Sequence, residues 1–132
     1  MTGLLKGYLF IYRGKQGNLM ITPKQTKELD SLASKKVLSL HPISFLSNRI
    51  ATEVHHIFSK KLCQAVRFKR KNLMPINRLE HTHSEKEFAE KVKACFIGRF
   101  GQHEWDKLED ESKLLKQPKN FEDIAQDIES WK

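Results

Sequence analysis

The stretch that decides the fold runs from Glu53 to His81 and reads EVHHIFSKKLCQAVRFKRKNLMPINRLEH. Its first part lies within residues 49–57, where the side chains alternate in a way that favours a β-strand. Neighbouring side chains of a strand point to opposite faces, so Glu53 and His55 share one face while His56 points to the other. The adjacent histidines His55 and His56 therefore cannot perform the same task.

The end of the same stretch predicts a short extended segment followed by a helix. Residues 72–76 read NLMPI, and the proline confines this piece to an edge or an irregular position. A helix is predicted over residues 78–100, because apolar residues recur there at helical spacing. On such a helix His81 and Glu85, four residues apart, share a face. If the helix packs against the strand, it brings His55, His81 and Glu85 together.

The segments on either side of this stretch are predicted to add a hairpin and helices. Residues 8–21 read as strand, glycine-containing turn and strand, which is typical of a hairpin. Thr22 and the proline after it then open a helix that runs to about Lys36. Two acidic helices follow the central stretch: one lies within residues 105–115, and the other begins after Asn120.

Length and composition bound the class of protein. The chain has 132 residues, with 24 Lys and Arg against 16 Asp and Glu, and its net charge is +8. This length fits one domain, and no apolar run approaches the ~20 residues that span a bilayer. A signal peptide is not recognisable, and two cysteines supply neither a disulfide framework nor a zinc ribbon. We therefore expect a soluble, reduced, cytoplasmic protein without a membrane partner.

The charge is unevenly distributed along the chain. From Glu104 onward nine acidic residues oppose five basic ones, a net charge of −4, whereas the first 103 residues hold 19 basic and seven acidic residues, a net charge of +12. The acidic tail is either a solvated mixed-charge arm or a segment that packs near the basic surface and competes for it. Six bases are predicted to grip a nucleic-acid backbone, the alternative being a solvated loop: Lys60, Lys61, Arg67, Lys69, Arg70 and Lys71.

The histidine pattern resembles the HNH endonuclease family, also called ββα-metal or His-Me finger. The residues that carry the resemblance are the His-His-Ile strand end at residues 55–57, the Asn-Leu segment at residues 72–76, and His81, nine residues after Asn72. The match covers about residues 50–98.

The resemblance implies a role for each of these residues. His56 is the general base that activates a water for attack on a phosphodiester. Asn72 braces the connecting loop and orients that base. His55 and His81 are metal ligands, with Glu85 at the position of a further ligand. The cofactor is one divalent ion, Mg, Mn, Ni or Zn, which offsets charge in the transition state.

Pattern and resemblance together predict an α+β fold in three parts. A small ββα-metal core at residues 49–101 follows an N-terminal hairpin-helix extension at residues 1–48 and precedes an acidic helical arm at residues 102–132. The expected activity is metal-dependent hydrolysis of DNA phosphodiester bonds, and the expected partner is DNA, with RNA as the alternative nucleic acid. The alternatives are a non-catalytic nucleic-acid-binding protein on the same fold, a nuclease toxin with an immunity partner, and an interaction module with a structural zinc.

Overall fold

The computed structural model describes residues 21–82, 84–114, 117 and 119–132. In these ranges helices surround a two-stranded antiparallel sheet, which agrees with the predicted α+β class. The helices are α1 (Pro23–Leu40), α2 (Glu85–Phe100), α3 (Gln102–Ser112) and α4 (Phe121–Glu129), and the strands are β1 (Glu53–His56) and β2 (Leu73–Ile76). None of the described helices is both long and apolar enough to cross a membrane. The predicted N-terminal hairpin, apart from Ile21, lies outside the described residues.

Helix α1 begins where the sequence predicts, at Thr22 and the proline after it. The Thr22 hydroxyl accepts a hydrogen bond from the Gln25 backbone N–H (3.1 Å), and the Gln25 side chain accepts one from the Thr22 N–H (3.0 Å). This reciprocal pair stabilises the first turn. The helix continues one turn past the predicted end at Lys36, because Val37 is fully buried in the core. Pro42 then disfavours further extension.

The sheet is shorter than the sequence predicts. The prediction was a strand over residues 49–57, whereas β1 pairs with β2 over four residues, with Glu53 opposite Ile76. Before Glu53 the chain pairs with the segment that precedes it, where Ile50 forms an isolated bridge with Ile43. The predicted stretch pairs with other segments as a strand does, but its partner changes from the segment at Ile43 to β2 between Ile50 and Glu53.

Two hydrophobic clusters hold the sheet between the helices. One joins α1 and α4 to Leu73, and the other joins α2 and α3 to Met74, so adjacent residues of β2 serve opposite faces. The apolar residues of α4 belong to the first cluster, in which Ile128 is fully buried. Trp105 and Leu108 of α3 belong to the second cluster. Both acidic helices are therefore part of the packing around the sheet.

The region between β2 and α2 differs from the predicted single helix over residues 78–100. A 3-10 helix spans Arg78–Thr82, and α2 begins only after Ser84, whose hydroxyl caps its first turn. The Ser84 backbone is extended (ψ 153°), as is usual for an N-cap, so an α-helix cannot run through it. The prediction that His81 and Glu85 share one face of a continuous helix is therefore wrong.

Candidate functional site

Three polar side chains meet on the face of the sheet that α2 covers. Alternation along β1 places Glu53 and His55 on this face, and the 3-10 helix after β2 supplies His81. The Nδ1 atom of His81 lies 3.0 Å from a Glu53 carboxylate oxygen, and the ring centroids of His55 and His81 are 5.6 Å apart. The Phe88 ring packs against both imidazoles, with centroid distances of 4.9 and 4.4 Å. Strand and 3-10 helix thus bring the two predicted histidine ligands together.

The chemistry of these side chains fits a divalent transition metal. Glu53 engages Nδ1 of His81, which leaves Nε2 as the ring nitrogen able to bind a metal. Burial is the main cause that lowers the pKa of His55 to about 4, and the neighbouring His81 and His56 act in the same direction. His55 is therefore uncharged at neutral pH, as a ligand must be. His55 and His81 fit the role of ligands, with Glu53 as the carboxylate that orients one of them.

The position of Glu85 differs from that expected of a ligand on the His81 helix. Glu85 is the first residue of α2, and its side chain is exposed. Across residues 21–82, 84–114, 117 and 119–132, no three His, Cys, Asp or Glu side chains are spaced to hold a metal ion. The carboxylate at His81 is instead Glu53, to which sequence reasoning assigned no role. Strand alternation was the signal that could have found it, since Glu53 shares a face with His55.

His56 lies on the opposite face of β1, the face that packs toward α1. Its ring lies near Asp30 of α1 and near the backbone of Arg67. Burial is the largest cause that lowers the pKa of His56 to about 4; Asp30 opposes this shift, while the charges of Lys60 and Arg67 support it. The imidazole is therefore neutral at pH 7 and able to accept a proton.

Asn72 connects the two ends of the loop between the strands. Its side chain is fully buried, and its Oδ1 atom accepts a hydrogen bond from the Phe58 N–H (2.8 Å) while its Nδ2 atom donates one to the Phe58 carbonyl (3.2 Å). The Asn72 carbonyl also accepts a hydrogen bond from the Ile57 N–H (2.9 Å). The oxygen and the nitrogen of the Asn72 amide therefore both bond to the backbone of Phe58, just after the His-His pair. This geometry is that of a brace for the loop.

The basic connector, residues 58–71, holds its six predicted nucleic-acid-binding residues in different ways. Lys60 and Lys61 are exposed, whereas Arg70 contacts the His41 ring and the Lys132 backbone carbonyl. Three others form ion pairs: Arg67 with Asp30 (2.6 Å), Lys69 with Glu111 (3.1 Å) and Lys71 with Glu104 (2.8 Å). Glu104 and Glu111 belong to α3, so the acidic tail packs against the basic connector, as the second interpretation of the tail predicts.

The lowered pKa values of His55 and His56 predict how the stability of the metal-free chain depends on pH. Between about pH 6.5 and 4 the unfolded state binds more protons than the folded state, so the contribution of the two histidines is complete above pH 6.5 and is lost toward pH 4. After allowance for their partial exposure, the expected loss is about 3 kcal/mol for the pair. Chemical denaturation in EDTA at pH 7 and at pH 4.5 measures it.

The matched control for this pH dependence is the double variant H55Q/H56Q. It lacks both imidazoles, so its unfolding free energy is expected to change less between the two pH values than that of the natural chain. An equal change in both chains contradicts the assignment of the pH dependence to these two histidines.

No family model, curated protein or solved structure matches the chain. The resemblance to the HNH family thus rests on the sequence pattern within residues 53–81. What the described residues show is a mixed helix and strand fold, with two histidines and a carboxylate on one face of a two-stranded sheet and a third histidine on the other.

Proposed function

We propose that the chain is a metal-dependent endonuclease that hydrolyses phosphodiester bonds of DNA. The observation that carries the proposal is the convergence of His55 and His81 on one face of a strand end that Asn72 braces and that carries the neutral base His56 on its other face. Each of these four residues also stands in the motif that resembles the HNH family. The physical requirements of ligand, base and brace are met by residues that the sequence pattern selects independently.

In the proposed reaction His56 takes a proton from an attacking water. The water oxygen forms a bond to phosphorus, the bond from phosphorus to the leaving oxygen breaks, and the departing oxygen gains a proton from solvent. His56 suits this task because its lowered pKa keeps the ring unprotonated at pH 7. One nitrogen of the neutral ring carries a proton, so the other nitrogen is the acceptor.

A divalent ion held by His55 and His81 would offset negative charge on the phosphate and on the leaving oxygen. Glu53 fixes the tautomer of His81 through Nδ1. Of the two candidate carboxylates, Glu53 already contacts His81, whereas Glu85 lies exposed at the start of α2. Glu85 as a ligand stays a prediction from the sequence, and Glu53 is the carboxylate that the structure places at His81.

One experiment tests the proposal against its alternatives. The full chain is incubated with supercoiled plasmid and with RNA, in the presence of Mg, Mn, Ni or Zn, and then with EDTA. Cleavage that needs a metal and stops with EDTA supports the endonuclease. Salt-sensitive binding without cleavage contradicts it in favour of a nucleic-acid-binding protein, and zinc binding without either effect favours a structural-zinc module. His103→Ala, a change of an exposed histidine on α3, is the control that should cleave normally.

The ion pairs between the connector and α3 predict that acidic residues restrain DNA binding. Glu104 and Glu111 neutralise Lys71 and Lys69, so removal of both carboxylates frees two cations for phosphate. We expect E104Q/E111Q to lower the Kd for a short DNA duplex by about three- to tenfold at low salt. Fluorescence anisotropy in EDTA, where no cleavage competes, measures this change.

The matched control for this prediction is D106N/D110N. It removes the same charge from exposed positions of the same helix, where neither carboxylate contacts the connector in the part of the chain that the structure describes. If the two double variants bind DNA equally well, the change reflects net charge alone and the contacts have no specific role.

A further inference from the structure

A shielded ion pair joins α1 to the basic connector. The Arg67 guanidinium donates to both carboxylate oxygens of Asp30, at 3.2 and 2.6 Å, and a further N–H donates to the Lys60 carbonyl at 2.8 Å. Only 12% of the Arg67 side chain and 23% of the Asp30 side chain are exposed. A two-pronged pair of this kind fixes orientation as well as distance. The pair therefore holds one turn of the connector at a defined place on α1.

The residue held in this way also lies beside the candidate base. His56 pairs with Leu73, which is buried in the hydrophobic cluster that α1 helps to form, and the charges of Asp30 and Arg67 both act on the His56 ring. The next residue, Phe68, is buried in the same hydrophobic cluster as Leu29, the residue before Asp30. Side-chain packing and the ion pair thus both fix the backbone at Arg67 relative to α1.

We propose that Asp30 is a positioning residue for His56, acting through Arg67. This inference rests on the proposed function for its catalytic meaning. It brings into the site a helix that lies before residues 50–98, the segment that resembles the nuclease family. Without the Asp30 carboxylate, the shielded guanidinium lacks its counter-charge and must turn toward solvent. The Arg67 backbone beside the His56 ring then shifts, and with it the surroundings that set the tautomer and orientation of that ring.

The two other connector ion pairs show why Asp30 differs from an ordinary structural acid. Lys69–Glu111 and Lys71–Glu104 are considerably more exposed, with 45% and 42% of the lysine side chains accessible. Within the described residues neither pair contacts the His56 ring. Their loss is expected to change the affinity for polyanions, whereas loss of Asp30 is expected to change the turnover of bound substrate.

The first test separates kcat from KM for plasmid cleavage. We expect D30A and the isosteric D30N to lower kcat by about 10- to 100-fold, as outer residues that orient a catalytic group do, with KM changed by less than about threefold. The control is V37A, which removes buried methyl groups from the same helix and cluster without touching the ion pair. If V37A loses as much kcat as D30N at equal loss of Tm, or if D30N keeps its full kcat, Asp30 is merely structural and the inference is overturned.

The second test does not depend on cleavage. Long-range ¹H–¹⁵N spectra of histidine-labelled, metal-free chain at pH 7 report which ring nitrogen of His56 carries the proton. We expect one dominant tautomer in the natural chain and a shift toward a mixture in D30N, with the ring of the exposed His103 unchanged. An unchanged His56 pattern in D30N overturns the inference. A natural chain that cleaves nothing with any metal overturns the proposed function instead, and the spectra still decide whether Asp30 orients His56.

Discussion

Replacing His56 with alanine is expected to lower kcat for plasmid cleavage by at least about 100-fold, the usual contribution of a positioned general base. The physical reason is that the variant lacks the neutral imidazole that accepts the proton of the attacking water. The fold is expected to persist, because His56 is only partly buried and lies outside the fully buried core. Gel assays of supercoiled plasmid, with circular dichroism to check folding, measure both effects.

Metal affinity provides a second measurement for this test, because the two faces of β1 carry different histidines. His55 and His81 lie on the face opposite to His56, so the metal affinity of H56A is expected to stay near that of the natural chain. H55A and H81A, by contrast, are expected to lose affinity for Mn or Zn in calorimetric titrations. Plasmid nicking by H56A at the natural rate contradicts the assignment of His56 as the base. Loss of metal binding in H56A shows that the two faces of β1 do not have separate roles.

Replacing Asn72 with alanine is the second change with a large expected effect. It removes two hydrogen bonds and leaves the partly buried N–H and carbonyl of Phe58 without these partners, which costs about 3 kcal/mol of unfolding free energy. Since the connector then loses its brace beside the His-His pair, kcat is expected to fall by about 100-fold as well. Urea denaturation and cleavage assays below the lowered Tm separate the two losses.

Asn77 provides the matched control for this change. Its side chain also makes two backbone hydrogen bonds, donating to the Ile50 carbonyl (2.9 Å) and accepting from the Leu79 N–H (2.9 Å), but it is less buried and lies at the other end of β2. N77A is expected to keep kcat within about threefold of the natural value, as a substitution away from the connector should. Similar losses of kcat in N72A and N77A contradict a specific bracing role for Asn72.

Features set by short-range chemistry were predictable from the sequence. The capped start of α1 follows from a threonine and a proline in sequence, and the opposite faces of His55 and His56 follow from strand geometry alone. The start of α4 after Asn120 was predicted for the same reason, and the Asn120 side chain accepts a hydrogen bond from the Asp123 N–H there. Each of these signals acts over a few residues, so the local sequence is enough to predict it.

Features set by competition or by long-range contact were not predictable. Apolar spacing favours one helix over residues 78–100, which would include His81. In the structure α2 begins only after Ser84, because the residue that caps the start of a helix also ends the segment before it. The ion pairs of Arg67 and Lys71 join residues 37 and 33 positions apart, so only the folded chain selects these partners from the many acids of the sequence. The prediction that all six basic residues of the connector bind a nucleic-acid backbone therefore had a weaker basis than the prediction that His55 and His81 lie close together.

The contact between α1 and α4 has a consequence for synthesis in the cell. The Lys36 ammonium donates to the Glu129 carbonyl across 93 residues of chain, and Ile124 and Ile128 close the cluster that α1 begins. While α4 is still inside the ribosome, the apolar face of α1 has no cover, so the connector that α1 helps to hold is not yet fixed. The chain is thus expected to acquire the proposed site only after α4 has left the ribosome.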